Sequence, residues 1–176
     1  RFGSALQVVD VATLKVRSTM AQQLEHPMDY ELTPGGGSLL VIDGYDAFLF
    51  DTDTGASLAV VREQFESSGS GFYRSEVTAG GRAVLLQMLN EGTRILDADT
   101  GTALISRDRN GPWSFTDDGR YALTCEGHSD DDVPKYVVFD LQSKGKVKPP
   151  LGTPCYAPEF ADGRGYLLLL DKQDKP

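Results

Sequence analysis

The hexapeptide Phe50-Asp51-Thr52-Asp53-Thr54-Gly55 returns further along the chain as Leu96-Asp97-Ala98-Asp99-Thr100-Gly101. Looser copies are Phe139-Asp140-Leu141-Gln142-Ser143-Lys144-Gly145 and Val9-Asp10-Val11-Ala12-Thr13-Leu14. The leading aspartates are separated by 41, 46 and 43 residues. Aspartate and threonine side chains bind nearby backbone amides in turns, and glycine adopts the left-handed conformation without strain. Each copy therefore predicts a hairpin turn.

A second phrase lies between these copies, each time before an apolar run. It reads Thr33-Pro34-Gly35-Gly36, Thr78-Ala79-Gly80-Gly81, Thr116-Asp117-Asp118-Gly119 and, one residue shorter, Ala161-Asp162-Gly163. Two interleaved signals with a shared period of about 40–46 residues are typical of a β-propeller, in which each repeat forms one blade of four antiparallel strands. The sequence therefore predicts an all-β propeller.

The strand pattern divides the chain into blades at residues 29–62, 75–107 and 113–148. Residues 155–171 resemble the two opening strands of a further blade, and residues 1–19 resemble two closing strands. Pairing of these ends would give a closed four-bladed ring without exposed sheet edges. The alternative is a four-unit piece of a propeller with six to eight blades. The start at Arg1, without a methionine, suits either a processed terminus or an excised piece.

Net charge and hydropathy indicate which classes of partner to expect. The chain has 26 Asp and Glu against 17 Lys and Arg, a net charge of −9. Nucleic-acid binding depends on cations that displace counterions from phosphates, so we expect no nucleic-acid partner. The longest apolar run, residues 166–170, is too short to cross a bilayer. We expect a soluble protein without membrane insertion, and the sequence assigns no compartment.

A family resemblance follows from two of these segments. Phe115-Thr116-Asp117-Asp118-Gly119-Arg120-Tyr121-Ala122-Leu123 resembles the phrase that opens blades in WD40 and related bacterial propellers. Val8-Val9-Asp10-Val11-Ala12-Thr13-Leu14-Lys15-Val16 is similar to the closing hairpin of the YVTN-type branch. The chain lacks the Trp-Asp dipeptide of true WD40 repeats, and no Gly-His pair opens a blade. The resemblance implies a propeller that displays loops to a partner.

Metal and redox chemistry have weak support. The Asp-rich turns lack the twelve-residue reach of a calcium loop, so we interpret them as hairpin turns. The acidic loop His128-Ser129-Asp130-Asp131-Asp132 is interpreted as a solvated loop, with a hard-metal site as the alternative. Cys125 and Cys155 fall on adjacent repeats, so a bridge is conceivable, but we favour buried free thiols. We predict no cofactor and no metal.

Topology supplies the candidate binding surface. In a four-stranded blade the second-to-third and fourth-to-first connections lie at the same end. Aromatic and arginine side chains on such loops are common interface anchors. The candidates are Tyr45, Phe65, Phe72, Tyr73, Arg74, Arg109 and Trp113. The alternative for Phe72, Tyr73 and Trp113 is that they fill space between blades.

We therefore expect a non-catalytic scaffold that binds another protein, or a domain of the same longer protein, or senses a ligand through its loop-rich end. The alternative is a metal-dependent, lactonase-like hydrolase with an axial ion. That mechanism needs acidic groups that converge from several innermost strands. Those strands offer Asp29, Glu31, Glu76 and Glu159 but no histidine.

Overall fold

The computed structural model describes residues 6–20, 24–25, 27–62, 72–78, 80–89, 91–127, 135–147 and 155. All regular elements in these ranges are β-strands. They are β1 (Gln7–Asp10), β2 (Lys15–Thr19), β3 (Pro27–Leu32), β4 (Ser38–Asp43), β5 (Asp46–Asp51), β6 (Ser57–Arg62), β7 (Phe72–Val77), β8 (Ala83–Met88), β9 (Gly92–Asp97), β10 (Ala103–Arg107), β11 (Trp113–Phe115), β12 (Tyr121–Glu126), β13 (Lys135–Asp140) and β14 (Gly145–Val147). In these ranges no helix is long and apolar enough to cross a bilayer.

The strands form antiparallel sheets in chain order. Three sheets have four strands each, β3–β6, β7–β10 and β11–β14, and β1 pairs with β2 in a two-stranded sheet. This confirms the predicted all-β architecture of four-stranded units. β7 begins at Phe72, three residues earlier than the blade boundary expected at residue 75. The strands predicted within residues 155–171 lie outside the described residues, apart from Cys155.

The recurring Asp phrase forms the predicted turn between the third and fourth strands of each four-stranded sheet, and its copy at Asp10 forms the turn between β1 and β2. The Asp51 Oδ1 atom accepts hydrogen bonds from the Thr54 amide at 2.7 Å and the Thr54 hydroxyl at 2.8 Å. The corresponding bonds from Thr100 to Asp97 measure 2.9 and 2.8 Å. The carboxylates are therefore satisfied within the turn. The interpretation of these segments as hairpin turns is confirmed.

The left-handed position of this turn is filled by glycine in two copies and by other residues in two. Gly55 and Gly101 have φ values of 74° and 70°. At the matching positions Leu14 and Lys144 have φ values of 54° and 55°. Residues with a Cβ atom adopt this conformation at a cost in free energy. Leu14 and Lys144 therefore take the same turn geometry as the two glycines, although glycine suits it best.

The threonine phrase forms the turn between the first and second strands. The Ser38 amide donates to the Thr33 hydroxyl at 3.0 Å, and the Tyr121 amide does the same to Thr116 at 3.0 Å. Each threonine is buried, because its side chain lies inside the turn that it closes. A buried hydroxyl with a backbone partner stabilises a fixed turn geometry.

Residues 1–110 form the first of two compact units. Its central sheet, β3–β6, is apolar on both faces, which explains why β4 and β5 are nearly continuous apolar runs. Leu40, Ile42 and Leu49 pack in the core shared with β7–β10. Alternate residues of the same strands, Val41 and Phe48 among them, pack in the core that also includes Val8 and Met20.

Polar contacts fasten neighbouring sheets of this unit. The Ser38 hydroxyl donates to the Ala98 carbonyl at 2.7 Å, and the Val77 amide donates to the Glu31 carboxylate at 2.8 Å. The Ser18 hydroxyl donates to the Thr52 carbonyl. Buried polar groups in β structures need such partners, and these contacts also set how one sheet is placed on the next.

Residues 111–176 form the second unit. Leu123 and Tyr136 pack with Cys155 in one core cluster. Cys155 forms a disulfide with Cys125, and their Cα atoms are 5.6 Å apart. The prediction of free thiols is therefore wrong, because the fold brings two residues 30 positions apart to a separation that a disulfide spans.

Candidate functional site

The two ends of the first unit are distinguished by contacts between turns. A Cβ atom added at Gly81 would lie 2.7 Å from Pro34 Cδ, so the β7–β8 and β3–β4 turns lie at one end. A Cβ atom at Gly101 would lie 2.5 Å from the Leu58 carbonyl oxygen, which places the β9–β10 turn beside the start of β6. We call this the first end. The β4–β5 turn, the β8–β9 turn and residues 108–110 lie at the opposite end, the second end.

Tyr45 is presented by the tight β4–β5 turn at the second end. Gly44 takes the left-handed conformation there, with φ 61°, and Tyr45 is 56% exposed. Burial raises the pKa of the neighbouring Asp46 carboxyl above its ordinary value, although the Arg62 guanidinium, 3.5 Å away, opposes this shift. An exposed aromatic ring on a two-residue turn loses little conformational entropy on binding, which suits an interface anchor.

Leu89 and Arg109 lie on two further segments of the second end that are bonded to each other. Leu89 follows β8 and is 50% exposed. The Asn110 amide group donates to the Met88 carbonyl, and the Thr93 hydroxyl donates to the Arg109 carbonyl at 3.1 Å. These bonds hold residues 108–110 against the β8–β9 turn. The exposed side chains of Leu89 and Arg109 are therefore carried on a braced backbone.

We define the second-end surface by four exposed residues: Met28, Tyr45, Leu89 and Arg109. Met28 belongs to it because β3 begins at this end, where Pro27 pairs with Asp43. The surface combines three large apolar side chains with a guanidinium. Residues of these types bury much area and make several kinds of contact in protein interfaces.

Phe72 and Arg74 lie in β7 near the second end rather than on a loop. Phe72 is partly buried and packs against the core between the two four-stranded sheets, as the space-filling alternative expects. The Arg74 guanidinium donates to the Glu76 carboxylate at 2.6 and 2.9 Å. Arg74 is thus already paired, although about two-fifths of its side chain is exposed. Tyr73 lies between them in the strand, and Phe65 lies outside the described residues.

Trp113 begins β11 in the second unit and is 5% exposed. Its ring lies 5.8 Å from that of Phe139 and 6.5 Å from that of Phe115, measured between centroids. A ring covered to this extent has little surface to offer a partner. Its position suits the alternative interpretation, in which Trp113 fills space in the core.

The candidate residues named from the sequence do not include Leu89 and Met28. In the sequence Leu89 continues the nearly apolar run that begins at Ala83, but β8 ends at Met88 and leaves Leu89 on the turn. The available sequence signal for this strand end was Gly92, three positions after Leu89, because glycine often marks a turn. Met28 carries no sequence signal, since apolar residues in strands are ordinarily buried.

The acidic residues proposed for an axial ion have other contacts. Glu31 accepts the bond from the Val77 amide, and Glu76 accepts the bonds from Arg74. Asp29 is exposed, and Glu159 lies outside the described residues. Within the described ranges, no three His, Cys, Asp or Glu residues are grouped closely enough to bind a metal ion.

Comparison with known proteins adds to this geometry. No known family profile matches the chain, and no curated protein sequence matches it. A crystal structure of a eukaryotic initiation factor matches over 78% of this chain and 35% of its own length, with 12% identity and a TM-score of 0.51.

The fold is that of a β-propeller. Two further β-propeller-like structures are similar at lower TM-scores. BamB from Moraxella catarrhalis matches with 16% identity, a TM-score of 0.44, and coverage of 82% of this chain and 46% of its own. The Kuenenia stuttgartiensis hydrazine synthase matches with 17% identity, a TM-score of 0.41, and coverage of 82% and 42%. The chain spans between about a third and a half of the length of these three proteins.

Proposed function

We propose that this propeller segment, of the WD40-like and YVTN-like type, is a non-catalytic scaffold that binds another protein or another domain of a longer protein. The contact is made through the second-end surface. The observation that carries the proposal is the exposure of Tyr45 and Leu89 on turns at one end of the unit. Exposed apolar residues grouped at one end favour a protein interface over a solvated surface.

The charge pattern of the second end supports a protein partner. Arg62 lies beside Asp46, Arg74 beside Glu76 and Arg94 beside Glu91. These three arginines are therefore paired with carboxylates of the same sheet. The pairing leaves little net positive charge at this end to attract the phosphate groups of a nucleic acid. Within the described ranges the Arg109 guanidinium has no carboxylate partner, so it is free to pair with a partner's carboxylate or carbonyl.

Site-specific photo-crosslinking tests the proposal. Benzoylphenylalanine is placed at residue 45 or residue 89 of the full-length protein in its native cells, and crosslinked products are identified by mass spectrometry. The same discrete protein is expected from both positions. Residue 14 is the control, because Leu14 is an apolar residue of the β1–β2 turn that is even more exposed than Tyr45 and Leu89.

Binding measurements with the purified partner complete the test. Leu89→Asp is expected to weaken binding by about tenfold or more, since it places a charge in a desolvated contact. Leu14→Asp is expected to leave the affinity unchanged. Equal crosslinking from residue 14, or unchanged affinity of the Leu89→Asp variant, contradicts the assignment of the second-end surface.

A further inference from the structure

Two buried polar side chains of β8 and β9 lie where the neighbouring sheet has apolar ones. Gln87 and Thr93 are paired in register and are 2% and 0% exposed. The pair at the same place in β4 and β5 is Ile42 and Ala47, which belong to the apolar core. Burial of a polar group costs free energy unless the group has a hydrogen-bond partner. The polar pair therefore needs an explanation.

The Thr93 hydroxyl joins this pair to the segment that follows β10. The Gln87 side-chain amide donates to the Thr93 hydroxyl at 3.4 Å. The same hydroxyl lies 3.1 Å from the Arg109 carbonyl oxygen and 3.3 Å from Asn110 Oδ1. The Asn110 amide group in turn donates to the Met88 carbonyl. We call the side chains of Gln87, Thr93 and Asn110 the Thr93 network, which runs from the interior of the sheet to its second end.

A glycine lets the two backbones come close enough for this network. Gly92 begins β9 and has a φ of 81°. A Cβ atom at this position would meet the Arg107 carbonyl oxygen and would lie 2.5 Å from the Arg109 amide nitrogen. Any residue with a Cβ atom would push the segment after β10 away from the β8–β9 turn. The chain therefore has both the close approach and the polar groups that hold it.

We propose that the Thr93 network is a positioning device, which fixes Arg109 beside Leu89 so that both contact the partner together. Leu89 directly follows Met88, and Arg109 directly precedes Asn110, so the bond between Asn110 and Met88 ties the two contact segments to each other. This inference rests on the proposed function of the second-end surface. The partner that fits presents a carboxylate beside an apolar side chain. A guanidinium on an ordered backbone loses less entropy when it pairs with a carboxylate, so the network raises affinity without touching the partner.

Transfer of the apolar pair from the neighbouring sheet tests this inference in the 176-residue chain. The double variant Gln87→Ile, Thr93→Ala removes the hydroxyl and fills the site with the side chains that β4 and β5 use. The Tm is expected to change by no more than about 4 °C, because both polar partners are replaced together. NMR relaxation of the backbone amides is expected to show the order parameter of Arg109 falling from about 0.85 to below about 0.6.

Thr93→Ser is the matched control, because it keeps the hydroxyl and loses only a methyl group. The lost methyl group is expected to lower the Tm by about 2–4 °C, while the order parameter of Arg109 stays near about 0.85. Stability and order therefore change differently in the two variants, which a purely structural role would not produce. An order parameter that stays near about 0.85 in the double variant overturns the proposal.

Affinity for the protein that crosslinks from residues 45 and 89 is the second readout. Arg109→Ala is expected to weaken binding about tenfold in the native background and less than about twofold in the double variant, because the guanidinium is no longer held in place there. Thr93→Ser alone is expected to bind as tightly as the unmodified chain. Equal losses from Arg109→Ala in both backgrounds overturn the proposal. Absence of a crosslinked protein would contradict the proposed function, whereas the relaxation measurement decides separately whether the network holds Arg109.

Discussion

Gly101→Ala tests how the two four-stranded sheets of the first unit are packed. Gly101 has a φ of 70°, which costs an alanine about 1–2 kcal/mol. The added Cβ would also lie 2.5 Å from the Leu58 carbonyl oxygen and 2.8 Å from Ala59 Cβ. Overpacking of this kind costs about 1–3 kcal/mol. The lower entropy of the unfolded alanine chain offsets about 0.4–1 kcal/mol. The net expectation is a loss of about 3 kcal/mol in the free energy of unfolding.

Thermal and urea unfolding followed by circular dichroism measure this loss. For a chain of this size, about 3 kcal/mol corresponds to a fall in Tm of about 6–12 °C. Gly37→Ala is the matched control, because its Cβ would meet no atom within 4 Å and its φ is not in the left-handed region. The control is expected to be neutral or slightly stabilising. A Gly101→Ala variant as stable as the control would refute the close approach of the β9–β10 turn to β6.

Three further outcomes follow from the turns and the disulfide. Lys144→Gly is expected to raise the free energy of unfolding by about 0.5–1 kcal/mol, because relief of the left-handed backbone strain exceeds the entropy cost of glycine. Urea unfolding measures this change, and a loss of stability would contradict the expectation. Reduction of the Cys125–Cys155 bridge is expected to add the mass of two hydrogens and to lower stability by about 2–4 kcal/mol, whereas an unchanged intact mass would show that no bridge was present. Hydrogen bonds from the Thr54 amide and hydroxyl lower the pKa of Asp51, so their contribution to stability is complete above the unfolded pKa of about 3.9 and is lost as pH falls through the lower folded pKa. Asp51→Asn should therefore flatten the fall in stability below about pH 4, and an unchanged acid limb would contradict this cause.

Turn chemistry was predictable from the sequence because its interactions are local. Asp51 and Thr54 are three residues apart, so their hydrogen bonds can be inferred from the residue types alone. The same holds for Thr33, whose hydroxyl closes a turn five residues long. The strand limits followed from these turns to within a few residues. The largest difference is at β7, which begins at Phe72, three residues before the expected residue 75.

The candidate site was predictable only in part. Topology placed Tyr45 and Arg109 at one end of the blades, and both are exposed there in the structure. Leu89 escaped prediction because the end of β8 is set by its pairing with β9 rather than by its own composition. Burial of Trp113 likewise depends on Phe139, which lies 26 residues further along the chain.

The sequence by itself determined the repeat, the four-stranded unit and the turns, since each depends on residues within a few positions of one another or on a simple period. Tertiary structure alone decided the Cys125–Cys155 pairing, the exposure of Val9 and Val11, and the left-handed conformation of Leu14 and Lys144. These features depend on which strands lie next to each other in space. Residues distant in sequence determine the burial of a side chain, the distance between two cysteines and the strain of the backbone. Local residue preferences do not contain this information.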